Sequence, residues 1–365
     1  MRNPCVDYTY CLLGDTLRGT ETGGSMIISD KKYVEKIPLA CLPTRIEKLE
    51  KTSAQYGKNI FIKRDDQTGT ELSGNKIRKL EYAVAEARGA GCDVLITCGG
   101  IQSNHCRATA AVAVKQDMHC ILVLAGEPPA SPDGNLLLDY LFGAEVRFIP
   151  PDRYEKERQA VMESIVQELA VKGKKGYIIP MGASNGIGAF GYFDALNEIV
   201  LQETAQGIRF DTIVCTVGSG GTYAGLCAGN KIHSYKKHII GFSISESSDF
   251  FTKEIIAISK EFYAYRHEEE SLTPHDICIV DGYAGRGYAL NTQEELAFIR
   301  RFAASEGIVL DPVYTGKAMY GLCSELESGS ALFKDADTIL FIHTGGLFGL
   351  FPKREELTSI LPFRQ

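Results

Sequence analysis

The chain has 365 residues, 44% hydrophobic and 23% charged, with a net charge of −7 and no basic run. That balance fits a soluble globular protein of two domains and argues against a nucleic-acid partner. No apolar stretch approaches the ~20 residues of a membrane span, and the 11 cysteines, without a C-x-x-C pair, read as reduced thiols of a cytoplasmic protein rather than a disulfide framework.

The first 30 residues carry Asp7, Asp15 and Glu21 and lack an apolar core, so they read as an N-terminal extension rather than a signal or transit peptide. The first strand is expected at "NIFIKR" from Asn59. "ELSGNKIRKLEYAVAEARGAG" follows from Glu71. There Ile77, Leu80, Val84 and Ala87 share one helical face, Ser73-Gly74-Asn75 turn the chain and cap the helix, and Gly89 and Gly91 stop it. Lys76 then stands at the positive end of the helix dipole, where a cation is disfavoured unless its amine has another task.

Strands are expected next at "DVLITC" (Asp93), "HCILVL" (His119), "EVRFIP" (Glu145) and "GYIIPM" (Gly176). After the first of these, "CGGIQSNHCRATAAVAV" turns at Gly99-Gly100 into a small-residue helix capped by Ser103. One cap suffices for such a helix, so Gln102, Ser103 and Asn104 together suggest an anion site sized for a carboxylate. Cys98, His105 and Cys106 read as packed core residues rather than a metal cluster; no metal site is expected.

"GIGAFG" at Gly186–Gly191 matches a dinucleotide fingerprint, but Asp211, at the expected spacing, stands at the wrong end of its strand, so a tight-packing turn is the better reading. The remaining strands are expected at "DTIVCTV" (Asp211), "HIIGFSI" (His238), "ICIV" (Ile277) and "DTILFIH" (Asp337). After the first comes "GSGGTYAGL", where the backbone N–H groups of Gly218, Ser219, Gly220, Gly221 and Thr222, with the two hydroxyls, would form a cup for one phosphate monoester. Glu246 keeps a nucleotide reading alive. Strand–helix alternation throughout predicts two α/β domains with mostly parallel sheets, covered by helices on both faces, and a ligand in the cleft between them. The strands fall into two sets, before and after the glycine-rich stretch at Gly182–Gly191.

A lysine in a cleft, a phosphate cup and a carboxylate cup together point to pyridoxal 5'-phosphate holding an amino acid. The cofactor aldehyde condenses with a lysine amine, and the dipole at Lys76 favours the free amine.

"RDDQTGTELSGNKIRKLEYAVAEA", "GGIQSNHCRATAAVA", "GSGGTYAGL", "LDPVYTGKAMYGL" and "FIHTGG" together resemble the D-cysteine desulfhydrase and 1-aminocyclopropane-1-carboxylate deaminase family of fold type II (tryptophan synthase β-like) pyridoxal-phosphate enzymes. The likeness runs from about Leu39 to Phe351. It implies that Lys76 binds the cofactor covalently, that Asn75 and Asn104 approach its ring, and that Gly218 to Thr222 cradle its phosphate. It further implies that Ser103, Asn104 and His105 hold the substrate carboxylate, with Ser103 also among the catalytic residues, and that Tyr314 and Tyr283 (in "DGYAGRGY") are active-site tyrosines. The expected division is 31–80 with 190–365 as a large cofactor-binding domain and 81–189 as a small one, in a homodimer. Ser73 departs from a common glycine and Arg45 from a common proline.

Deaminases of this family resemble one another in a glutamate directly after the active-site tyrosine, where an acid makes the pyridine ring a strong electron sink. Here Thr315 follows Tyr314, and "FIHTGG" offers Thr344. Two neutral hydroxyls suit β-elimination of a thiolate, which favours D-cysteine as substrate, with Tyr283 or Tyr314 as proton donor. Cyclopropane ring opening, a nucleotide-dependent oxidoreductase and a pyridoxal-phosphate-binding protein without turnover are the alternatives.

Overall fold

A computed structural model describes residues 34–362; the extension expected over residues 1–30 lies outside them. Ten strands, numbered along the chain, run Ile46–Lys48 (β1), Asn59–Lys63 (β2), Val94–Gly100 (β3), His119–Ala125 (β4), Glu145–Ile149 (β5), Gly176–Ile178 (β6), Thr212–Val217 (β7), His238–Ser243 (β8), Cys278–Val280 (β9) and Thr338–Ile342 (β10). They form a six-stranded sheet in the order β1-β2-β10-β7-β8-β9 and a four-stranded sheet in the order β5-β4-β3-β6. Only β1 and β2 pair antiparallel. The expected α/β class with mostly parallel sheets is therefore observed, and all nine sequence-predicted strands are present. The three-residue β1 went unpredicted, being too short to show an alternating pattern.

One expectation needs correcting. The strands do not sort by position before or after residues 182–191, because β2 precedes that stretch yet lies beside β10 in the larger sheet. The boundaries expected at 80/81 and 189/190 also fall inside continuous helices, Lys76–Gly89 and Gly186–Gln206, whereas domain boundaries ordinarily fall in linkers.

Central strands are continuous apolar runs because helices cover both faces: Leu95 and Ile96 of β3, Leu122 and Val123 of β4, and Ile213 and Val214 of β7 are all buried. The helix Lys76–Gly89 is more enclosed than its pattern suggests. Ile77, Leu80, Val84 and Ala87 are buried as expected, but so are Arg78, Lys79, Glu81 and Tyr82. It is not a surface helix with one wet face; it packs against the helices Gly186–Gln206 and Asn104–Lys115. Its close neighbour shows what "GIGAFG" is for. A Cβ on Gly186 would meet the backbone of Glu261 at 2.5 Å, and one on Gly191 would meet the backbone of Arg78 at 2.5 Å. The glycines permit helix contact, as the packing reading requires.

Burying the charged residues of this helix demands partners. Arg78 donates to Asp65 (2.9 Å) and Glu198 (2.9 and 3.0 Å), Tyr192 donates to Asp65 (2.6 Å), and Lys63 pairs with Glu198. The carboxyls of Asp65 and Glu198 are held below the ordinary carboxylate range; burial works against this, and Arg78 together with Lys63 outweighs it. Removing Arg78 leaves Asp65 buried without its cation, so Arg78→Met should destabilise the protein by about 3–5 kcal/mol in urea unfolding at pH 7. Depressed carboxylate pKa values contribute stability above the unfolded-state pKa and lose it as pH falls through the folded-state values. The gap between wild type and variant should therefore close at acid pH; a gap independent of pH would show that Arg78 acts through packing alone.

Candidate active site

Parallel strands deliver their carboxyl ends to one edge, and the loops leaving β3 and β7 there open into helices whose N-termini line a single cavity of about 600 Å³. That size is typical of a cofactor or substrate site. Lys76, Asn75, Ser103, Asn104, His105, Gly218, Ser219, Gly220, Thr222, Tyr314 and Thr344 all lie on its wall. Tyr283, Thr315 and Gly221 do not appear there.

Lys76 opens its helix, and burial alone lowers its amine to about 8, so roughly a tenth is uncharged at pH 7, far more than for an ordinary lysine. Gly182 makes room for it: at φ +68, a Cβ there would stand 3.1 Å from Lys76 Nζ and 2.7 Å from Ser219 Oγ. The expected cap does not form. Asn75 has helical φ and ψ and no capping bond; its amide instead donates to Thr222 Oγ1 across the cavity wall (3.0 Å). Gly74, at φ +107, presses against Thr344, where a Cβ would come within 2.8 Å of the carbonyl oxygen.

The turn after β7 enters the helix Gly221–His233 with Gly220 at φ +82. Ser219 Oγ meets Ser184 Oγ at 2.7 Å. Beside them is a residue that sequence reasoning missed. Lys79 is fully buried and, among the described residues, donates only to Gly182 O (2.7 Å) and Ser184 Oγ (3.0 Å). Burial and the neighbouring Lys76 push its pKa well down. A buried amine with neutral partners next to a helix N-terminus suits an anion such as phosphate, whose charge would favour the ammonium form. The signal was present, since Lys79 sits one helical turn from Lys76, but a second lysine on an amphipathic pattern reads as solvent-facing.

At the other N-terminus Ser103 caps the helix Asn104–Lys115 by accepting from Cys106 N (3.2 Å), as expected. Gln102 is not part of the anion site: its amide holds Asp133 O and Asn135 N. Asn104 Oδ1 accepts from Asn135, leaving its NH₂ to donate. His105 differs from expectation. Thr97 gives its one hydroxyl hydrogen to Ile179 O, so the contact with His105 Nε2 at 2.8 Å requires the imidazole to donate. Burial holds the ring neutral, and Nδ1 faces no partner. The ring therefore offers a lone pair, and a carboxylate would be held by the first backbone N–H groups of this helix with Ser103 and Asn104.

Two residues are displaced from their expected place. Tyr283 donates to Glu325 (2.6 Å) on the far side of its loop. Tyr288, five residues on in the same "DGYAGRGY", lines the cavity and shares a 2.6 Å hydrogen bond with Tyr314 Oη. Enclosure raises the Tyr314 phenol well above the ordinary value; Tyr288, whose surface is 47% exposed, is also raised, with the bond to Tyr314 holding it lower. Thr315 is fully buried and its hydroxyl is engaged with Asp311, donating to Oδ1 (2.7 Å) and accepting from the main-chain N–H (2.9 Å). The repeated G-Y in that loop offered two tyrosines, and only the turn geometry separates them. Among the described residues no group of three His, Cys, Asp or Glu is placed to hold a metal ion.

The residues fit pyridoxal phosphate: Lys76 supplies a low-pKa amine, Lys79 and the Gly221 helix N-terminus suit a phosphate, and Thr216 Oγ1 and His105 Nδ1 are buried polar atoms on the wall without partners. The model of the family described as "Pyridoxal-phosphate dependent enzyme" matches residues 37–345. The chain thus belongs to the fold type II pyridoxal-phosphate-dependent enzymes, and within them to the D-cysteine desulfhydrase and 1-aminocyclopropane-1-carboxylate deaminase family. It is 41% identical, over 88% of its length and 81% of the relative, to a bifunctional D-cysteine desulfhydrase/1-aminocyclopropane-1-carboxylate deaminase of Arabidopsis thaliana. It is 37% identical to a D-cysteine desulfhydrase of Klebsiella pneumoniae, covering 87% of this chain and 95% of that one. A solved structure described as an ACC deaminase homologue superposes with a TM-score of 0.81 at 38% identity, covering 90% and 96%.

Borohydride reduction of the cofactor-loaded protein should label the peptide carrying Lys76, and capture of added cofactor by cofactor-free protein should accelerate as pH rises through about 8. Label on Lys79 would reverse the assignment. The cup has its own test. A Cβ on Gly221 would stand 2.6 Å from Lys79 Nζ and 2.8 Å from Ser184 Oγ, so Gly221→Asp should both crowd the cup and neutralise its cation, and the purified variant should lack visible cofactor absorbance. Normal cofactor retention would place the phosphate elsewhere.

Proposed function

We propose that this enzyme eliminates sulfide from D-cysteine, giving pyruvate, hydrogen sulfide and ammonia. The observation that carries the reading is the character of the wall. Its carboxylates, Glu155, Glu246 and Glu254, are all exposed at the rim, while the inner surface presents hydroxyls and amides, Thr344 among them. Pyridoxal phosphate, when bound, withdraws electrons from Cα of an attached amino acid and acidifies its proton; without a carboxylate at the ring nitrogen that withdrawal is weaker. A thiolate leaving from Cβ accepts the electrons directly and needs less of it.

Lys76 Nζ is the base for the Cα proton, its lowered pKa matching the task. Ser103, the Asn104 amide and the N-terminus of the helix Asn104–Lys115 hold the substrate carboxylate. Asn75, Asn104, Ser219 to Thr222 and Lys79 are the residues that would hold the cofactor, the last five at its phosphate. Tyr288 and Tyr314 share one hydrogen bond, so one Oη can give a proton to departing sulfur and take one from the other, and water at the open end of the cavity returns the proton the pair has lost. Water then hydrolyses the released aminoacrylate. The homodimer and the cytoplasmic location remain part of this reading.

Ring opening of 1-aminocyclopropane-1-carboxylate is the second reading, favoured by one feature: the buried Asp311 carboxyl stands directly behind the Thr315 hydroxyl. Steady-state kinetics on both substrates decide between them. The ratio of kcat/KM should favour D-cysteine, with little α-ketobutyrate from the cyclopropane; the reverse preference would transfer the electron-sink role to the Thr315–Asp311 pair.

A further inference from the structure

Lys317 repeats the puzzle of Lys76. It stands on the first turn of the helix Thr315–Glu327, where the dipole disfavours a cation, and its surface is fully buried. Among the described residues it makes no ion pair. Instead its three ammonium hydrogens go to three main-chain carbonyls of one loop, Ala284 O, Gly287 O (2.8 Å) and Leu290 O (2.9 Å). Those carbonyls bracket Tyr288. The loop cannot hold itself by a regular ladder: Gly282, Gly285, Gly287 and Ala289 all have positive φ, and at Ala289 (φ +57) that conformation is unfavourable for a residue with a side chain. Its far end is tied by Asn291, which donates to Pro312 O (2.7 Å). Tyr314 and Lys317 lie three residues apart, on one side of the same helix start, so one element presents both the partner of the Tyr288 hydroxyl and the clamp on the Tyr288 backbone.

We propose that Lys317 is a positioning residue: its ammonium, bound by the carbonyls of residues 284, 287 and 290, sets the loop so that Tyr288 Oη meets Tyr314 Oη at the cavity. The inference rests on the reading of these tyrosines as the proton-handling pair. A tetrahedral ammonium has three donors and spends all three here, a geometry that a planar guanidinium does not reproduce.

The test combines hydrogen exchange on the cofactor-loaded protein with a double-mutant cycle. In Lys317→Met, amides of residues 281–291 should exchange about tenfold faster or more, while the helices Lys76–Gly89 and Gly221–His233 keep wild-type protection. On D-cysteine, kcat should fall about tenfold with KM little changed, Tyr288→Phe should do likewise, and the double variant should be no more than about twofold worse than the poorer single one. Additive losses, or exchange that rises throughout the protein, would show that Lys317 only stabilises the fold and would overturn the proposal. If Lys317→Met does not fold, Lys317→Gln, which retains two donors, takes its place in both arms. The exchange arm needs no substrate, so a wild type inert toward D-cysteine overturns the reaction reading alone, and unchanged exchange at 281–291 overturns the clamp.

Discussion

The helix Lys76–Gly89 must be buried on every side and still present a reactive amine at its first residue. Everything else in the site follows from how that conflict is resolved. Arg78, two residues on, is locked to Asp65 and Glu198, with Tyr192 and Lys63 completing the cluster. Breaking one partner of such a cluster is costly because it strands a buried charge, so the helix has little freedom to rotate or slide. That fixes the direction in which Lys76 leaves the backbone. No carboxylate of the cluster reaches Lys76, whose amine is depressed by burial alone. The same helix therefore carries a fully paired cation and an unpaired one, with the first holding the second in place.

Parallel topology supplies the rest of the cavity. Since β3 and β7 end at the same edge as their neighbours, two helix N-termini face one volume, and each brings free N–H groups suited to an anion. Each N-terminus offers backbone N–H groups rather than a charged side chain, and the lysines near them are Lys76 and, behind Ser184, Lys79. The small residues around them are required by closeness. Gly182, Gly221 and Gly74 each stand where a Cβ would come within about 3 Å of a functional atom or the backbone beside it. The sheet edge, the glycines and the two lysines form one arrangement, and none of them defines the site alone.

The tyrosines show a different kind of positioning. Tyr288 belongs to a loop of turns with no strand or helix to fix it, and its neighbours Gly287 and Ala289 both adopt positive φ. Its location depends on contacts from the helix Thr315–Glu327, through the Tyr314 hydroxyl and the Lys317 ammonium. Asp311 does comparable work at the same helix start, accepting from the main-chain N–H groups of Val313, Tyr314 and Thr315 as well as the Thr315 hydroxyl. This corner is thus built from buried polar groups satisfied within a few residues, and it is where sequence reading went astray.

By itself the sequence determined nine of the ten strands, the two helix N-termini that follow β3 and β7, and the place of Lys76 at the head of its helix. These depend on local pattern: apolar runs bounded by turns, glycine and hydroxyl residues between a strand and a helix, and a lysine misplaced on a dipole. Local pattern did not show which strands share a sheet: β2 lies beside β10, a grouping that only the family resemblance implied, through its division of 31–80 with 190–365. Tertiary structure alone decided that the Lys76 helix has no wet face along its middle, that Lys79 is buried against Gly182 and Ser184, and that Tyr288 rather than Tyr283 reaches the cavity while Thr315 turns to Asp311. In each case the outcome depends on what packs against a residue from a distant part of the chain, or on the φ values of a glycine-rich loop. Neither hydrophobic period nor residue spacing encodes those contacts, because they are set only when buried polar groups from different elements satisfy one another.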